Sequence, residues 1–122
     1  MENENMMTLR RFYREVGGDA DEVLARLGSE EMLRRFLKKF PSDPSFSDLC
    51  TAFRTRDAET AFRAAHTLKG LCLNLGFGAL CRPATLLTEA LRPRTFSSEA
   101  DALFLATEKE YRALLLALAK TE

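Results

Sequence analysis

Between Asp57 and Gly76, the small and apolar residues Ala58, Ala61, Ala65, Leu68, Cys72 and Leu75 fall alternately three and four positions apart. That spacing keeps all of them on one face of an α-helix. A face built this way is the seam of a helical bundle. Asp57 stands where an N-cap is needed, and Gly76 and Gly78 supply the stop. The pattern therefore predicts a helix over residues 58–75, about 27 Å long at ~1.5 Å per residue.

The rest of the chain agrees with an all-α fold. Leu, Ala, Glu, Arg and Lys recur throughout, and Val, a strand former, occurs only at positions 16 and 23. A first short helix is expected over residues 6–15, with Leu9, Phe12, Tyr13 and Val16 on its apolar side and Gly17-Gly18 as its end. Asp19 caps a second over residues 20–27, stopped by Gly28. Ser29 caps a third over residues 30–40, with Leu33, Phe36, Leu37 and Phe40 on one face. Pro41 and Pro44 impose a break, followed by a helix over residues 45–55 with Phe46, Leu49, Cys50 and Phe53 inward. After the central helix, another covers residues 79–91 up to Pro93, with Pro83 near its first turn. Ser97 or Ser98 caps the last, which runs to Ala119 and turns Leu103, Phe104, Ala106, Tyr111, Leu114, Leu115 and Leu118 inward. Short links between the long helices imply an up-down-up-down four-helix bundle with additional short N-terminal helices. The 122 residues suit one domain, with accessory helices in residues 1–28 and the bundle in 29–119.

Charge narrows the function. Lys plus Arg number 18 and Asp plus Glu also 18, so no basic excess points to nucleic acid or to a membrane surface. The longest nearly uncharged stretch, residues 71–81, is about half of what a membrane span requires. The acidic opening Met1-Glu2-Asn3-Glu4-Asn5 is unlike a secretion signal. A soluble, cytoplasmic monomer is the expectation. Cys50, Cys72 and Cys81 are odd in number and form no C-x-x-C, and they read as reduced structural thiols. A single histidine and no Glu-x-x-His leave no inward metal-ligand set. No phosphate-binding G-x-x-x-x-G-K-[ST] occurs.

The one histidine, His66, lies on the central helix roughly 140° from the centre of the seam, at ~100° per residue, and so points outward or toward the flank. Gly70 shares its face one turn on, and Lys69 lies three residues on, within reach of a group attached to the imidazole. A mid-helix glycine beside an outward histidine suits the close approach of another molecule, although it also suits tight helix packing. A neutral, solvent-facing imidazole is a good nucleophile toward phosphorus. Lys69 would offset the incoming negative charge. Phe62, one turn before His66, and Leu73, seven residues after it, read either as flank packing or as apolar docking contacts. Arg63 and Glu59 read as a solvated face.

The run Ala64-Ala65-His66-Thr67-Leu68-Lys69-Gly70-Leu71-Cys72-Leu73-Asn74-Leu75-Gly76-Phe77 closely resembles the signature A-H-x-L-K-G-x-[SA]-x-x-L-G of histidine phosphotransfer (HPt) domains. Leu87-Thr88-Glu89-Ala90 resembles a segment of that family's following helix, and the likeness extends over about residues 16–118. The resemblance implies a phosphoryl carrier of a histidine–aspartate relay, not an enzyme. His66 would be the phosphoacceptor, Lys69 the residue supporting the phosphohistidine, and Gly70 the small residue admitting a partner. That partner would be a response-regulator receiver domain or a hybrid histidine kinase, with magnesium bound on the receiver and no cofactor here. Thr88 and Arg92 fall where some members place polar residues near the histidine. Cys72 departs from the usual Ser or Ala, and Pro41 and Pro44 interrupt a helix that is commonly longer. The competing expectation is a helical module of the same fold that binds a regulator without taking phosphate.

Overall fold

The computed structural model describes residues 3–121; Met1 and Glu2, part of the acidic opening segment, lie outside them. Seven α-helices and one 3₁₀ turn make up the regular structure among these residues: α1 (Glu4–Val16), α2 (Ala20–Leu27), α3 (Glu30–Lys39), the 3₁₀ turn (Phe40–Ser42), α4 (Ser45–Thr55), α5 (Ala58–Leu75), α6 (Gly78–Leu91) and α7 (Ser98–Ala119).

Side-chain caps fix most of the starts. Asn3, Asp19, Ser29, Asp57 and Ser97 each accept a hydrogen bond from a backbone N–H of the first turn that follows. The Asn3 cap opens α1 two residues earlier than the sequence pattern suggested. Asp57 accepts from both the backbone and the hydroxyl of Thr60, and these bonds hold its carboxyl below the usual range. Glycines in the left-handed conformation close α1, α2 and α5 at Gly17, Gly28 and Gly76. Pro41 does break the chain: α3 ends at Lys39 and tightens into the 3₁₀ turn. Asp43 then accepts from Ser45 N–H at 2.8 Å to restart the helix.

Helices α4 to α7 form the expected bundle. Phe46 stacks on Tyr111 at 3.9 Å between centroids and Phe53 on Phe104 at 4.3 Å, so α4 packs antiparallel against α7 and closes it. The seam of α5 is buried at Ala61, Ala65, Leu68, Cys72 and Leu75, with Ala58 half-buried. The N-terminal helices share this core. Phe12, Tyr13, Phe40 and Phe77 meet edge to face or stacked below the bundle. Tyr13 donates its hydroxyl to the Leu75 carbonyl at 2.7 Å, and burial pushes that phenol above its ordinary pKa. Arg26 donates to the carbonyls of Leu73 and Asn74. The C-terminal carbonyls of α5 are thus satisfied from α1 and α2. The turn at Gly17-Gly18 lies against the turn at Gly76 to Gly78 so tightly that a Cβ on Gly18 would strike the Gly76 carbonyl, and one on Gly78 the Gly17 carbonyl.

Four expectations are corrected. Phe36 is exposed, because Leu33, Leu37 and Phe40 alone complete the inward face of α3 and its continuation. Ala106 is exposed and Thr107 is buried in its place, its hydroxyl donating to the Leu103 carbonyl. Gly78 opens α6 instead of ending α5. Pro83 is the sixth residue of α6, beyond its first turn, where it withholds the N–H that would bond the Ala79 carbonyl.

Candidate functional site

His66 projects from the middle of α5 into solvent, as its angle from the seam requires. Its neighbours on α5 are Phe62 and Arg63 before it and Lys69 and Gly70 after it. Phe62 is half-buried, and its ring lies parallel to the imidazole, 2° apart in tilt and 6.1 Å between centroids. Lys69 is half-buried.

Gly70 has no heavy atom within 4 Å of where a Cβ would stand, apart from its own local backbone. Close helix packing does not explain this glycine. It leaves a bare, open patch of backbone one turn from the imidazole. Leu73, a further turn along, is 57% exposed, so the flank-packing alternative fails for it. Leu86 on α6 is similarly open at 56%.

Helix α6 brings two residues to the site. Arg92 pairs with Glu89 at 2.8 and 3.0 Å and lies over the Phe62 ring, its guanidinium carbon 5.3 Å from the centroid. The Glu89 carboxyl is held below its usual range, first by hydrogen bonds from Arg92 and further by the charges of Arg92, Lys69 and His66. The sequence reading missed Glu89. It singled out the residue before it, Thr88, which the structure removes from the surface. Thr88 is fully buried, and its hydroxyl donates to the Ala84 carbonyl at 2.8 Å. The reason is periodicity. Leu80, Ala84, Leu87, Thr88 and Leu91 form the inward stripe of α6, so position 88 belongs to the core and position 89 to the outer face.

Arg94 also joins the site without a signal in the sequence. It follows α6 in the turn through Pro93, and its guanidinium carbon stands 3.7 Å from the Phe62 centroid. Its Nε donates to Glu59 at 2.8 Å. Glu59 also pairs with Arg63 at 3.5 Å, so the two residues read as a solvated face belong to the margin of the site.

The three cysteines are free thiols, and burial pushes Cys72 above its ordinary pKa. Among the described residues, no group of three or more His, Cys, Asp or Glu side chains is placed to hold a metal ion. None of the described helices is long and apolar enough to cross a membrane.

Comparison with known proteins gives one positive result. Neither curated proteins nor solved structures return a match. A family model described as Hpt domain matches residues 31–121, three quarters of the chain. Domains of that kind are histidine phosphotransfer modules of phosphorelays, phosphoryl carriers that work with receiver domains and kinases. An all-helical bundle carrying an outward histidine on its second long helix, matched over this span, belongs to the Hpt domain family.

Proposed function

We propose that the protein carries a phosphoryl group on His66 between aspartates of partner receiver domains. A lone pair on one imidazole nitrogen attacks phosphorus of the receiver's aspartyl phosphate. The P–N bond forms as the P–O bond to the aspartate breaks, and the carboxylate leaves. The second ring nitrogen gives up its proton to water. The reverse sequence delivers the group to the next aspartate. Lys69 offsets the charge that arrives on the imidazole, and Gly70 gives the receiver's loops room to close over it. Magnesium and the acceptor carboxylate come from the partner, and the carrier needs no cofactor of its own. Phe62 and Leu73 extend the contact on either side of His66, and Arg92 flanks it. Thr88 has no part in the contact. Such a carrier works in the cytoplasm as a monomer.

The observation that carries this reading is the open space over Gly70 beside an exposed imidazole. Incubation with a phosphorylated receiver tests it. Wild type should acquire acid-labile phosphate, and His66→Ala should acquire none. Binding without label favours a regulator-binding module instead. His66→Gln should abolish labelling while shifting stability by less than ~0.5 kcal/mol, as expected of a surface position.

A further inference from the structure

The surface around His66 is divided along α5. Toward the C-terminal end lie Gly70, Leu73 and Asn74, with Leu86 on α6, all uncharged and open to solvent, bordered by the exposed Arg26 and Arg82. Beside the histidine and toward the N-terminal end stand Arg63, Lys69, Arg92 and Arg94, against three carboxylates, Asp57, Glu59 and Glu89. The cationic half is held in a fixed arrangement. Arg94 adopts φ 60°, in the left-handed region that glycine occupies most readily. An arginine there carries a local conformational cost. It is then fixed three ways: its guanidinium on the Phe62 face, its Nε on Glu59, and a second nitrogen donating to the Arg92 carbonyl at 2.6 Å. Arg92 is fixed by Glu89 and by the same ring. Exposed ion pairs of this kind add little to folding stability, so stability does not account for the arrangement. Guanidiniums already immobilised lose little freedom when they meet a carboxylate.

We infer that Arg92 and Arg94, stacked on Phe62, form a preset cationic handle that meets acidic side chains bordering the acceptor site of the incoming receiver and sets its orientation over His66. This rests on the carrier reading and adds to it the charge and polarity of the docking partner. A receiver that supplies the magnesium and the acceptor aspartate brings carboxylates to the contact. Their attraction to Arg92 and Arg94, set against the apolar contact at Leu73 and Leu86, favours one orientation. The handle acts in the encounter and not on the phosphoryl group, whose charge is met by Lys69.

The test compares two phosphodonors: a receiver domain from the same organism loaded with acetyl phosphate, and phosphoramidate, which has no protein surface. Arg94→Gly removes the guanidinium and suits the backbone, and Arg92→Gln is combined with it. The control is Arg56→Gly. Arg56 shares the left-handed backbone, an acid partner in Asp101 and a ring partner in Phe96. It lies ahead of α5, about 15 Å along the helix from His66. The double variant should take phosphate from the receiver roughly tenfold more slowly at low ionic strength, with the deficit shrinking as salt rises. Its labelling by phosphoramidate, and both reactions of the Arg56→Gly control, should match wild type. Receiver transfer within twofold of wild type at all salt concentrations overturns the inference. An equal loss with phosphoramidate overturns it too, since the arginines would then act on the phosphoryl group. Wild type that accepts phosphate from neither donor overturns the carrier reading itself, and this inference with it.

Discussion

Replacing Gly70 separates the folding requirement of α5 from its docking requirement. Glycine inside a helix is about 0.8–1.0 kcal/mol less favourable than alanine. At Gly70 nothing stands within 4 Å of the added Cβ, so no clash subtracts from that gain. Gly70→Ala should therefore stabilise the protein by about 1 kcal/mol. With an unfolding entropy of ~2.1 cal/mol/K per residue over this chain, the melting temperature should rise by about 4 °C. Gly70→Gln should gain somewhat less, glutamine being a slightly poorer helix former than alanine. Transfer should move the other way. Forcing a side chain into a close contact costs ~1–3 kcal/mol, and each ~1.4 kcal/mol is tenfold. Gly70→Gln should slow phosphotransfer from a receiver about 10- to 100-fold, and Gly70→Ala much less, while labelling by phosphoramidate is unchanged for both. Thermal melts followed by circular dichroism and rapid-quench transfer kinetics give the two readouts. A lower melting temperature for Gly70→Ala, or undiminished transfer by Gly70→Gln, would refute the close-approach argument.

Gly78→Ala should behave oppositely, because its Cβ meets the rigid backbone of Gly17; a loss of about 2–3 kcal/mol is expected in denaturant titrations. Tyr13 has a folded-state pKa raised by burial, so its contribution is complete below about pH 10, where the unfolded phenol titrates, and is lost as pH rises further. Tyr13→Phe should lose about 1 kcal/mol at neutral pH with the bond to Leu75, and should flatten the alkaline fall in stability, leaving the part due to Tyr111 and to the buried thiol of Cys72, both also raised. Cys72, buried and with a raised pKa, should react with a thiol reagent only as the protein unfolds, after the half-buried Cys50 and Cys81.

Periodicity and capping chemistry carried most of the fold into view. The seam of α5, its start at Asp57 and its end at Gly76 follow from residue types alone, because each is a local rule acting within one or two turns. The same local rules place His66 outward and Gly70 beneath it. Errors arise where a face is shared or ambiguous. Phe36 satisfies the spacing of an inward residue, but the space it would fill is already occupied by Leu33, Leu37 and Phe40. Thr88 is polar and one position from the site, yet it is buried because its hydroxyl finds a partner within its own helix. Glu89 reaches the histidine, and Arg94 the neighbouring Phe62, only through the packing of α6 on α5 and through a left-handed turn at Arg94. Neither relation is encoded in a short window of sequence.

The family match begins at Glu31, but the folding unit does not. Tyr13 and Arg26 belong to the earlier segment and satisfy the backbone oxygens at the end of the phosphoacceptor helix. Phe12 and Tyr13 also wall in Phe77, which has no exposed surface. Trimming the chain to the matched span would uncover that ring and leave three carbonyls to water. Frayed at that end, the helix would present Leu73 in no fixed position. The opening thirty or so residues are better regarded as the foot on which the phosphate-bearing column stands.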